Sequence, residues 1–177
     1  MEQYVAFLRG INVSGQKLIK MEALRKVLTE SGFTDVKTYI QSGNLLFNSE
    51  VQDTNHLILA IENLIEKHFG FHTDVILRKQ FEIENVLKSL ESCRLKSDDD
   101  RKYYITFAKE EFSVQIDVPS FSKNQDVEMI YHTRKDFISV STEYKGNFGF
   151  PNSFIEKLTG IPATTRNPNT LEKILKL

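Results

Sequence analysis

Apolar residues in the first half of the chain switch between two periods. Tyr4 to Leu8 is an unbroken apolar run that Arg9-Gly10 ends, the pattern of a buried strand. Met21, Leu24, Val27 and Leu28 then recur at helical spacing, with Gly32 as a stop. The stretch 10–20 between them carries the breakers Gly10, Asn12, Ser14 and Gly15 and is read as a loop. Val36 to Gln41 is rich in β-formers, Ser42-Gly43 is a turn signal, and Leu45 to Asn48 is a returning strand. Leu57, Ile58, Ile61, Leu64, Ile65 and Phe69 define a second helix that Gly70 closes. Thr73 to Leu77 is a strand, and Ile83, Val86, Leu87 and Leu90 mark a third helix.

Strand, helix, strand, strand, helix, strand is the split βαβ, or ferredoxin-like, order. It predicts an antiparallel sheet with both helices on one face. Val5, Phe7, Leu24, Leu28, Ile40, Leu46, Ile61 and Leu64 are its expected core. A polar stretch from Ser92 to Lys102, with Asp98, Asp99 and Asp100 solvated, is read as a linker. Beyond it the pattern partly repeats. Tyr103 to Ala108, Val127 to His132 and Phe137 to Ser141 are strands, and Ser153 to Leu158 and Thr170 to Leu177 are helices. A short helix is expected in the Pro-containing stretch 117–124. The fold class is therefore α+β, with two ferredoxin-like subdomains over 1–92 and 93–177, the second degenerate.

Composition narrows the partners. The 177 residues are 40% hydrophobic with 13 Phe and no Trp, so Phe supplies the large core pieces. The formal net charge is -1, which gives no general affinity for phosphate backbones. One cysteine, Cys93, allows no intrachain disulfide and no cysteine-based zinc site, as expected of a reducing, cytoplasmic protein. The N-terminus has neither the basic lead nor the apolar run of a signal peptide, and no run has the length of a membrane span.

Three stretches carry candidate chemistry: F-L-R-G-I-N at 7–12, T-Y-I-Q-S-G-N at 38–44 and T-T-R-N-P-N-T at 164–170. Each couples a backbone-special residue to hydrogen-bonding side chains at a strand end, a turn or a helix start. Gly10 to Lys17 is no P-loop, because Gln16 separates Gly15 from Lys17 and Leu18 follows instead of Ser or Thr. Arg9, Asn12 and Lys20 instead suit an anion near the N-terminus of the first helix. Ser42, Gly43 and Asn44 suit turn chemistry, with Ser42 and Asn44 also able to bond a ligand. Asn169 or Thr170 is expected to cap the last helix, and Arg166 to clamp an anion or to tie to an acid such as Glu156. No G-x-S-x-G, no H-E-x-x-H and no third ligand for His68 and His72 is visible, so no catalytic role, cofactor or metal is assigned. His56 and His132 have no partner nearby in sequence.

The three stretches resemble a bacterial domain-of-unknown-function family, number 1697. Its members open with Y-V-A-F-L-R-G-I-N-V, continue with G-F-x-D-V-x-T-Y-I-Q-S-G-N and close with T-T-R-N-x-N-T. Tyr4 to Val13, Gly32 to Asn44 and Thr164 to Thr170 match these in order, and Asn152 to Leu158 matches a further segment. Ser14 stands where the family has glycine, and Pro168 where it has tryptophan. The resemblance implies two α+β subdomains and no known activity.

The favoured expectation is binding of a small anionic or nucleotide-like ligand by Arg9, Asn12, Lys20, Ser42, Asn44, Arg166 and Asn167, with the C-terminal loop joining the N-terminal motifs. A second class is single-stranded nucleic acid or RNA on the sheet, stacked on Tyr39, Phe47, Tyr103 and Phe107. Balanced charge disfavours it. A third is a protein-interaction scaffold, which fold alone does not distinguish. No oligomeric state follows from the sequence.

Overall fold

Strand β1 (Glu2–Leu8) is followed by helix α1 (Met21–Glu30), strands β2 (Thr34–Tyr39) and β3 (Asn44–Ser49), helix α2 (Thr54–Phe69) and strand β4 (Val75–Lys79) in a computed structural model. That structure describes residues 1–13, 15–94 and 101–177. Ser14 and Asp98 to Asp100 therefore lie outside the described residues. The sheet order is β2-β3-β1-β4, and every pairing is antiparallel.

The period-two and period-3.6 patterns meet on one face of this sheet. Tyr4, Ala6 and Leu8 of β1, Leu45 and Phe47 of β3, and Val75 and Leu77 of β4 join Leu24 and Leu28 of α1 and Leu57, Ile61 and Ile65 of α2 in one cluster. Tyr4 and Phe47 stack with ring centroids 5.7 Å apart, and Phe33 meets Phe47 edge-on at 5.1 Å. Helix α2 is well delimited. The Asp53 carboxylate accepts from the Asn55 and His56 N–H groups at its start, and Gly70 ends it at φ 79. The other sheet face is buried too, through Val5, Phe7, Leu46 and Ile76.

Helix α3 (Gln80–Cys93) leads to strands β5 (Lys102–Ala108), β6 (Ser120–Phe121), β7 (Val127–His132) and β8 (Asp136–Ser141). A short ribbon of β9 (Glu143–Tyr144) and β10 (Asn147–Phe148) precedes helix α4 (Asn152–Thr159), strand β11 (Ala163–Arg166) and helix α5 (Pro168–Ile174). The second sheet runs β11-β5-β8-β7-β6. The protein is thus mixed α+β. Two compact units are present, Met1–Glu82 with Glu172–Leu177 and Ile83–Leu171. Among the described residues no helix is long and apolar enough to cross a membrane.

Taken as first, second, third and fourth, β5, β7, β8 and β11 repeat the fourth-first-third-second order of the first sheet. The repeat is incomplete at one place. The helix expected within 117–124 is absent, and an irregular segment with the two-residue β6 stands there. Phe112 replaces the helix as packing, stacked on Phe137 at 5.2 Å within a core of Ala108, Met129 and Ile155. Val118 and Phe121, the apolar residues of that stretch, are both exposed, so no helix face is buried there, and Pro119 withholds a backbone donor.

The first hairpin also departs from the expected register. β2 ends at Tyr39, and the turn occupies Ile40 to Gly43. Ile40, expected in the core, is instead 53% exposed, and Leu64 packs only partly buried against the core. The turn presses hard on β1. A Cβ built at Gly43 would lie 2.8 Å from the Leu8 Cβ and 2.7 Å from the Ile11 Cδ1, and Gly43 has φ +74. Gly43→Ala is therefore expected to cost about 2 kcal/mol, through both overpacking and left-handed strain. A urea titration that finds the midpoint unchanged contradicts this close approach.

Candidate functional site

Antiparallel pairing decides which motif residues meet. Phe7 pairs with Asn44 and Leu8 with Val75, so the end of β1 lies beside the starts of β3 and β4. Arg9, Asn44 and Asp74 consequently share one end of the first sheet. The Arg9 N–H donates to the Asp74 carbonyl at 2.9 Å, and the Thr73 hydroxyl donates to the Arg9 carbonyl at 2.6 Å. The Arg9 guanidinium, with its side chain 39% exposed, lies 3.6 Å from the Asp74 carboxylate.

After Arg9 the chain leaves the sheet and returns to it over residues 10–20. Ile11 and Ile19 bury both ends of this loop in the core. Asn12 closes it, adopting φ 54, which an asparagine tolerates better than most residues. Its side-chain N–H₂ donates to the Ile19 carbonyl at 3.0 Å and to the Gln41 carbonyl at 2.6 Å. Its side-chain oxygen accepts from the Ile19 N–H at 2.8 Å. Asn12 thus fastens the loop to itself and to the hairpin. Asn44 does the same inside the turn. It is buried, and its N–H₂ donates to the Tyr39 carbonyl and the Ser42 hydroxyl, each at 3.0 Å. Both asparagines, expected as ligand contacts, bond within the protein: Asn12 with main-chain groups, Asn44 with a carbonyl and the Ser42 hydroxyl, because a loop and a turn leave polar main-chain atoms without ladder partners.

The side chains this corner presents to water are a different set. Ser42 is exposed and accepts from Asn44. Lys20 is exposed at the N-cap position of α1 and makes no side-chain cap bond. Ile40 is exposed and held at φ 51, a left-handed conformation unusual for a β-branched residue. Lys17 donates to the His72 carbonyl at 2.8 Å and lies 5.9 Å from the Phe71 ring centroid.

Arg166 and Asn167 belong to the second unit and are engaged locally there. The Arg166 guanidinium donates to the Thr164 hydroxyl at 2.6 Å and to the Thr165 carbonyl at 2.9 Å. Burial lowers its pKa to about 10, so it stays charged at neutral pH. The Glu156 carboxylate accepts from the Ala163 N–H at 2.8 Å. Asn167, not Asn169 or Thr170, is the cap of the last helix. Its side-chain oxygen accepts from the Thr170 N–H at 2.8 Å, and Pro168 takes the first helical position. A proline that has no N–H to satisfy starts the helix earlier than the apolar pattern suggests.

Sequence reading missed a further group at the first corner. Donor atoms of Glu62, His72 and Asp74 all lie within 4.8 Å of one another. Glu62 is 6% exposed on the core side of α2, beside Ile61 and Ile65. An acidic residue inside an apolar stripe was the available signal. The carboxylate accepts from the Val75 N–H at 2.9 Å, and His72 Nε2 lies 4.0 Å from the Asp74 carboxylate. The proposed base-stacking platform loses two of its four rings, since Phe47 and Phe107 are fully buried.

Two substitutions test this partition. Ile40→Asn is expected to raise stability by about 1 kcal/mol, because asparagine relieves the left-handed strain. A lower denaturation midpoint would show that the Ile40 side chain stabilises the turn in another way. Asn167→Ala removes a cap and is expected to cost about 1 kcal/mol. Equal chemical stability of variant and parent would rule out the cap.

Among curated proteins none matches the chain in sequence. The fold is shared with "The structure of conserved bacterial protein SP0830 from Streptococcus pneumoniae", at 22% identity and a TM-score of 0.67, over 99% of this chain and 97% of that one. The family described as "Protein of unknown function (DUF1697)" matches residues 1–137, which hold two of the three motifs and the whole corner around Arg9. The chain belongs to that family.

Proposed function

We propose that the corner of the first unit binds a small anionic ligand, with Arg9 as the charged contact and Lys20 and Ser42 beside it. Asn12 and Asn44 act as its frame. The observation that carries this reading is the over-determined corner itself. Hydrogen bonds from two asparagine side chains fix the loop and the turn, and they hold the exposed Ile40 in a strained conformation. Strain that a structure maintains at an exposed turn points to a role for that turn. Rigidity also lowers the cost of binding, because the contact groups need little further ordering. Asp74 orients the Arg9 fork, and an arginine has five donors with which to meet a carboxylate or phosphate. The same strand order in both units supports a ferredoxin-like reading of each, and the single cysteine supports a cytoplasmic location.

Thermal unfolding in the presence of inorganic phosphate, nucleoside monophosphates and small dicarboxylates tests the reading. A ligand at about a hundred times its Kd adds about 2.7 kcal/mol to stability. At least one of these anions is expected to raise the Tm of the parent protein, and Arg9→Ala is expected to abolish that rise. A rise of equal size in Arg9→Ala would place the anion elsewhere. An Arg9→Ala protein that no longer folds would make the Arg9–Asp74 pair a structural tie.

A further inference from the structure

We propose that Glu62, His72 and Asp74 form a binding site for one divalent transition cation of the Zn²⁺ or Mn²⁺ class. The three residues come from two parts of the first unit. Glu62 lies in α2, while His72 and Asp74 lie in the segment between α2 and β4. Their donor atoms already lie within 4.8 Å of one another. Bonds of about 2.1 Å to a tetrahedral ion set its donors about 3.4 Å apart, so ligation requires each group to close in by an ångström or so. His72 and Asp74 sit in an irregular segment that can make that adjustment, and the His72 side chain is 57% exposed, which leaves a route for the ion.

The donor set fits this class of ion. An imidazole nitrogen with two carboxylates suits zinc or manganese better than a thiolate-seeking ion or an all-oxygen calcium site. The surroundings fit as well. The buried Glu62 carboxylate is fixed in direction by the Val75 N–H. Asp74 has one oxygen toward Arg9 and the other toward His72. A ligand carboxylate held by a neighbouring donor is the usual outer arrangement of metal sites. His68, the histidine nearest to His72 in sequence, takes no part. With three protein ligands the ion keeps at least one position for water or an exogenous group, and its ligand Asp74 also faces Arg9. An anion bound as proposed above would therefore find the cation close to its arginine. The cation site itself does not depend on that reading.

Calorimetric titration of the untagged full chain with Zn²⁺ and with Mn²⁺, without added anion, tests the site, and elemental analysis gives its stoichiometry. One cation per chain is expected. His72→Ala and Glu62→Gln are each expected to weaken binding by about tenfold or more. Glu62→Gln keeps an acceptor for the Val75 N–H, and His72 is exposed, so His72→Ala leaves the fold in place even if the glutamine does not. His68→Ala is expected to bind as the parent does. Absence of stoichiometric binding overturns the site, and so does parent-like affinity in His72→Ala. A cation that binds normally while no anion raises the Tm would leave this site standing and reject the anion reading alone.

Discussion

The side-chain amide of Asn12 is the fastening on which the end of the first sheet depends. Its N–H₂ group reaches the loop at Ile19 and the hairpin at Gln41 together, and its oxygen returns to the Ile19 N–H. Remove that amide and the loop and the turn have no such shared anchor. A buried isoleucine at each end of the loop fixes its span, and the amide fixes its shape. Gly43 completes the arrangement from the other side, because only a residue without Cβ lets the turn lie on Leu8 and Ile11. The placement of Arg9 follows from this, since it sits between the last pair of β1 and the fastened loop.

Elements that bury a periodic face were legible in the sequence. β1, α1 and α2 fall where Tyr4 to Leu8, Met21 to Leu28 and Leu57 to Phe69 place them, since burying a stripe demands a fixed period. What stayed illegible depended on partners distant in sequence or on backbone preference of single residues. Ile40 reads as part of a strand over Val36 to Gln41, yet the turn needs four residues and takes it. Nothing in its type announces a left-handed conformation. Asn12 and Asn44 read as candidate ligand contacts because polar residues in loops look alike whether they meet a ligand or a carbonyl. The cap falls at Asn167 for a local reason: Pro168 starts the helix, which places the cap two residues earlier than Asn169. Glu62 stands out in sequence only as an acidic residue inside an apolar stripe, and nothing local names His72 and Asp74 as its neighbours.

The two units show how one strand order tolerates different connections. In the first, α1 covers the crossover from β1 to β2. In the second, the corresponding crossover from β5 to β7 runs through an irregular segment that uses Phe112 as its anchor. The later crossover keeps its helix in both, as α2 and as α4. A helix is one way to cover an apolar sheet face, and a loop with one large aromatic is another. The sheet itself needs only that its face be covered, because its hydrogen bonds are made between strands.

This separation of frame from surface changes how the motifs should be read. In F-L-R-G-I-N and T-Y-I-Q-S-G-N the residues of greatest chemical promise by type, the asparagines, bond to the loop and the turn. Among the groups that face solvent at this corner are an arginine braced by an aspartate, a lysine, a serine and a strained isoleucine. A protein gains nothing in stability from exposing an isoleucine in a left-handed turn, since asparagine or glycine fits there at lower cost. The frame holds it there nonetheless. The carboxylate of Glu62 presents the same argument on the inside of the corner. A buried carboxylate is costly unless donors face it, and here the Val75 N–H is one such donor. Strain outside and buried charge inside fall within the same end of one sheet, around Arg9 and Asp74. That coincidence, more than the presence of any one motif, is what distinguishes this corner from the rest of the first sheet.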